Sequence, residues 1–254
     1  MSFLRKSLLL RHENIKNSIV MQKFTKVIAA IMLITAVYLA AGCTKHNGGN
    51  GTYKGHDYID LGLPSGTMWA TCNVGAESPD QYGDYFAWGE TQPKATYTES
   101  NYFYSQGGYN QLTKYCSQSD FGFDGFTDDL TTLQSDDDAA TANWGEGWRT
   151  PTYKEWVELL TKCTHTWTTR NEVKGCLFTG RNGNSIFLPA ASSRMDDEFR
   201  LVGDDGSYWS STLNKSYTVA AKGLNFIISF DDCDLYDDLG RCSGLSVRPV
   251  CSSH

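Results

Sequence analysis

The 254-residue chain lacks the short motifs that mark most enzymes and metal-binding modules. No CxxC pair occurs among its eight cysteines, which excludes the zinc-ribbon and thioredoxin-type readings. Histidine is scarce: only His46, His56, His165 and His254 lie after residue 43, and none belongs to an HExxH helix. There is no GxSxG nucleophile turn and no phosphate-cradling glycine loop. Positive charge is also in short supply. Six of the 22 basic and one of the 29 acidic residues precede position 43, leaving 16 against 28 beyond it, a formal net charge of −12. Such a segment repels phosphate backbones, so nucleic acid is not expected as a partner.

Long apolar runs are missing but for one. Val27 to Leu39 is apolar apart from Thr35 and Tyr38, with Lys23 and Lys26 before it and Ala40-Ala41-Gly42-Cys43 after it. Those are the three regions of an export signal. The run is shorter than the about 20 residues of a membrane-spanning helix. Translation is expected to start at Met21. Cys43 at the cleavage point resembles a bacterial lipobox cysteine, with Ala40 in the usual leucine position and Leu39 one further back. Acyl chains on Cys43 would make the membrane a partner, each buried methylene contributing roughly 0.8 kcal/mol. The expected organisation is therefore a signal peptide over 1–42, a glycine-rich tether over 43–52 beginning at lipidated Cys43, and one globular domain over 53–254.

What is present centres on Gly147 to Cys163, GWRTPTYKEWVELLTKC. Thr152 and Glu155 form a capping box, so the spacing predicts a helix from Thr152. Trp156, Leu159, Leu160 and Cys163 fall on one apolar stripe of it, and Arg149 stands at the joint. A second short helix is predicted over 135–143, capped by Ser135 and stopped by Gly145. Strands are predicted at 58–61 and 67–70 around a Leu63-Pro64-Ser65-Gly66 turn, at 85–88 and at 164–169. Further strands are expected on either side of Asn182-Gly183, at 207–211, and at 224–230 and 244–250 around an acidic loop at 231–242. Asp124-Gly125 reads as another hairpin turn. Many short strands with two helices make one α+β domain.

Arg149-x-Pro151-Thr152-x-x-Glu155-Trp156 resembles the RLPTEAEW signature of the formylglycine-generating-enzyme family. The wider set resembles the Fibrobacter succinogenes major paralogous domain family more closely. It comprises IDLGLPSGTMWATCNVGA (59–76), YGDYFAWGET (82–91), DDAATANWGEGWRTPT (137–152), NGNSIFLPAA (182–191), SYWSST (207–212) and GLSVRPVC (244–251). The resemblance implies a C-type-lectin-like fold and a bacterial envelope setting, with the protein expected at the outer membrane. Formylglycine-generating enzymes use paired cysteines near the stretch equivalent to Gly206–Trp209. Here Ser210-Ser211-Thr212 follows instead, and hydroxyls cannot replace the soft sulfur ligands that copper(I) needs. The sugar-binding EPN, QPD and WND motifs of C-type lectins are absent as well.

Candidate sites are few. Most of the seven tryptophans read as core. Trp88 and Trp209 are the two expected at a surface and available to a ligand. Asp231, Asp232 and Asp234 in the acidic loop offer oxygen ligands for calcium, although they match no known calcium loop. Excluding Cys43, seven cysteines remain, so at least one is unpaired. Cys233 with Cys242 is the expected local disulfide, and Cys72 with Cys251 a second choice. The expectation is a lipid-anchored envelope protein displaying a non-catalytic adhesion or binding module for a carbohydrate or protein ligand. An enzyme related to formylglycine-generating enzymes, or a structural subunit of a surface assembly, are the alternatives. Cells expressing the chain should incorporate labelled palmitate into it, and Cys43→Ala should abolish the labelling; label retained by that variant would refute the anchor.

Overall fold

Capping chemistry sets both α-helices among the residues that this computed structural model describes, 49–252 except Leu201. The expected signal peptide and lipidated Cys43 lie outside the described residues. Helix α1 (Ala139–Trp144) begins one turn later than expected, after a 3-10 turn over Ser135–Asp137. Its cap is Asp138, not Ser135, because the Asp138 carboxylate accepts from the backbone of Ala140 at 2.9 Å and Thr141 at 3.3 Å. Asp138 also accepts from the Thr150 backbone and hydroxyl, which ties α1 to the strand-like approach to the next helix. Helix α2 (Tyr153–Lys162) has the expected capping box between Thr152 and Glu155. Arg149 adds a bidentate pair with the Glu155 carboxylate, so one acid satisfies both a helix start and a guanidinium.

The strands are β1 (Gly51–Tyr53), β2 (His56–Asp60), β3 (Met68–Ala70), β4 (Tyr85–Phe86), β5 (Thr164–Arg170), β6 (Val173–Thr179) and β7 (Ser185–Pro189). After them come β8 (Ser193–Met195), β9 (Glu198–Arg200), β10 (Asp205–Leu213), β11 (Ala220–Ile227), β12 (Asp232–Gly240), β13 (Leu245–Ser246) and β14 (Val250–Cys251). They form sheets in the orders β1-β2-β3-β14, β12-β11-β10-β13-β4, β5-β6-β7 and β8-β9. Every pairing is antiparallel but for β10 with β13. The domain is thus α+β, built on antiparallel sheets with two helices among the described residues, which belong to one compact unit.

Two predicted features change. Asp124-Gly125 makes an isolated 3-10 turn with Asp124 at φ 50° and no flanking strands, so it closes no hairpin. The acidic run at 231–242 is largely strand: β12 pairs along β11 from Asp232↔Ile227 to Gly240↔Ala220. Its carboxylates are tolerated because β12 is an edge strand with one face in water, and edge charges also discourage pairing with other chains.

The interior divides into two apolar clusters, and alternation along central strands feeds both. On β10 Trp209 enters one cluster and Tyr208 the other; on β3 Met68 and Ala70 face one, Trp69 the other. Strands buried on both faces have no polar alternation to display. Residues 241–251 thread between these layers. Val247 accepts from the Val74 amide, Pro249 from Ala70, and Val250 exchanges hydrogen bonds with Arg149. Arg248, fully buried, donates to Asn73 at 2.8 Å, to the Ala70 and Thr71 carbonyls at 3.1 and 2.7 Å, and to Phe187 at 2.9 Å. It joins β3, the following turn and β7 without a carboxylate partner.

Arg248→Met keeps the apolar bulk and strands those acceptors. Urea unfolding of the variant should show a loss of about 3 kcal/mol or more; a loss under 1 kcal/mol would mean that the guanidinium is dispensable.

Candidate functional site

Trp88 and Trp209, expected at a surface, are both only 1% exposed. The reason is a reciprocal pairing: the Trp88 indole donates to the Ser210 carbonyl at 2.8 Å, and the Trp209 indole donates to the Phe86 carbonyl at 2.7 Å. With its polar handle satisfied inside, each ring can be sealed into the core. Neither face is open to a ligand.

The acidic run does not form a cage. Asp231 sits at a left-handed turn where its carboxylate accepts from the Trp167 indole, and Asp234 accepts from the Leu235 amide. Asp232 and Asp234 then project along β12 in register with Ile227 and Asn225. Among the described residues no group of three or more His, Cys, Asp or Glu side chains is placed to hold a metal ion. Cys233 and Cys242 are separated rather than bridged. Cys233 is the second residue of β12 and Cys242 lies beyond its far end. Seven extended steps at about 3.3 Å carry the chain roughly 20 Å before Cys242 is reached, far outside disulfide range. Cys251 pairs in register with Met68, four residues from Cys72, so the second choice is not formed either.

An open site lies elsewhere. A cavity of about 300 Å³ is walled by the long segment after β4, by the turn into β11 and by the end of β12. The first supplies Glu99, Tyr102, Tyr109 and Leu112; the second Tyr217 and Val219; the third Asp238, Arg241 and Cys242. Tyr102 and Arg241 are buried, whereas Tyr109 is 55% and Tyr217 47% exposed, so aromatic faces form a wet rim. Phe121 braces that rim edge-on, 5.6 Å from Tyr217 and 6.3 Å from Tyr109.

Arg241 fixes the buried side. Its Nε donates to the Tyr102 hydroxyl, and its terminal nitrogens donate to the carbonyls of Tyr115, Thr218 and Lys114, all at 2.9–3.0 Å. The cation also lies over the rings of Trp88 and Tyr102, 5.0 and 5.2 Å from their centroids. Tyr102 passes the interaction on by donating to the Trp88 carbonyl at 2.8 Å. Burial pushes the Tyr102 hydroxyl up, and burial with nearby Glu99 pushes the Cys242 thiol up, so both keep their protons. The cavity's thiol is thus in its protonated form, and no histidine is among the residues that line it. The arrangement can offer apolar contact, aromatic faces and hydrogen bonds.

These residues were hard to find in sequence. The one signal was aromatic density in an otherwise polar stretch, with Tyr97, Tyr102, Phe103, Tyr104, Tyr109 and Tyr115 spaced through it.

One carboxyl elsewhere is tuned toward neutrality. Asp205, at the start of β10, is pushed up to about 6 by burial, against the opposing hydrogen bonds from Asn225 and Ser207. Its folded value lies above its unfolded one, so the stabilisation it gives is complete below about pH 4 and disappears as pH rises through 6. Asp205→Asn should therefore match the parent at pH 4 and be more stable by ~2 kcal/mol at pH 7 in paired denaturant melts; an equal difference at both pH values would contradict this. No family model, curated protein or solved structure matches the chain.

Proposed function

We propose that the chain is a bacterial envelope lipoprotein, anchored through Cys43, whose domain is a non-catalytic binding module for carbohydrate. The resemblance to the Fibrobacter succinogenes major paralogous domain supports a C-type-lectin-like arrangement. The pairing of β14 with β3, which brings the two ends of the domain together, agrees with it.

The observation that carries the reading is the aromatic-rimmed cavity beside Arg241. Its volume sits at the lower end of ligand pockets, suited to one or two sugar rings and too small to seat a folded partner. Tyrosine faces stack on the apolar side of a pyranose, while hydroxyls and the Glu99 and Asp238 carboxylates can take up its hydroxyl groups. No activated nucleophile lines it. The stretch 206–212, where the enzyme family has its cysteines, is here the buried strand β10 with serines and a threonine. That sequence favours binding over oxidase chemistry.

A panel of neutral mono- and oligosaccharides, titrated calorimetrically against the protein, tests the reading. At least one should bind, and Tyr217→Ala and Tyr109→Ala should each weaken it by about tenfold, the loss of one aromatic contact at roughly 1.4 kcal/mol. Binding that ignores both substitutions, or no binding across the panel, would overturn the assignment of this site.

A further inference from the structure

Two cysteines far apart in sequence meet between sheets. Strand β6 sets Cys176 opposite Trp167 of β5, and β12 sets Cys233 opposite Phe226 of β11. The Trp167 and Phe226 rings pack 5.6 Å apart, tilted by 45°, so the two ladders lie against each other at this point. The Trp167 indole also donates to the Asp231 carboxylate, two residues before Cys233. Both sulfurs belong to the same apolar cluster, Cys176 fully buried and Cys233 partly exposed. The Cys233 thiol lies close enough to act on Cys176, and its proximity, with burial, pushes the Cys176 thiol up.

We propose that Cys176 and Cys233 form a disulfide that joins the three-stranded sheet to edge strand β12 once the chain meets an oxidising environment. Its relevance in the cell rests on the export reading above; the pairing itself does not. The step balances as thiol–disulfide exchange. The accessible Cys233 sulfur, as thiolate, attacks a disulfide of an oxidising exchange partner, forming a mixed disulfide and releasing one thiol of that partner. Cys176 then attacks the Cys233 sulfur and releases the second. The two cysteines give up two protons and two electrons, and the partner's disulfide is reduced to two thiols.

The link has a structural purpose. β12 is held on one side only, by β11, and carries Asp232, Asp234, Asp237 and Asp238 in close succession. A covalent tie near its start opposes their mutual repulsion. The far end of the same strand leads into Asp238, Arg241 and Cys242 of the cavity wall, so pinning β12 also steadies the site.

The full-length chain, purified in detergent, is equilibrated in oxidised and reduced glutathione, alkylated without reductant and digested with trypsin. The expected product is the 175–181 peptide joined to the 223–241 peptide. Reduction should lower Tm by about 10 °C, and Cys233→Ala should show the lower Tm without reductant. Complete alkylation of Cys176 and Cys233 in the oxidised sample, or Cys233 linked to any other cysteine, overturns the pairing. The same digestion of protein isolated from bacterial envelopes separates the two readings. A link formed in glutathione but missing from that fraction supports the pairing and counts against export.

Discussion

A guanidinium shut away from water must place its N–H groups on oxygens or rings, and two such groups shape this domain. Arg241 and Arg248 are both buried, and neither has a carboxylate partner. Backbone carbonyls do the work instead. Carbonyls can be aimed only by folding the chain around the cation, so each arginine dictates the path of segments remote from it. Arg248 gathers β3, its following turn and β7; Arg241 gathers the tyrosine-rich segment and the approach to β11. Six residues separate them, and β13 lies between, pairing with β4 on one side and β10 on the other. The late segment 241–251 is thus the spine on which earlier parts of the chain are hung.

That spine explains why the cavity is where it is. The cation that closes its buried side is also the cation that orders the loop forming one of its walls. The tyrosines at its rim can stay partly exposed because Arg241, Tyr102 and Trp88 beneath them are locked by hydrogen bonds and ring contacts. Under the proposed carbohydrate-binding reading, side chains held in this way would lose little freedom on binding. The thiol among the lining residues, Cys242, is pushed up by burial and keeps its proton.

Local signals in the sequence were legible where the residues themselves enforce geometry. Thr152 and Glu155 announced a helix start, Asn182-Gly183 a hairpin, and Leu63-Pro64-Ser65-Gly66 a turn, and each formed as expected. Trp69, Trp148 and Trp156 were readable as core. Signals that depend on distant partners were not. Trp88 and Trp209 sit beside polar neighbours, and only the crossing of 86–88 with 209–210 shows why they are buried. The run 231–242 looks like a loop because its charges hide a strand that needs β11 to exist. Arg248 gave no sign of burial in the sequence, because the carbonyls that hold it come from segments remote in the chain.

The central claim is that Arg241 and Arg248 are sealed, fully engaged cations around which the domain is built. Hydrogen–deuterium exchange at the two arginine Nε–H groups, followed by nitrogen-15 NMR, tests it most directly. The account predicts that both exchange only through global opening, slowed to the rate of the most protected backbone amides. Exchange of either group at the rate of a solvent-exposed arginine would contradict it.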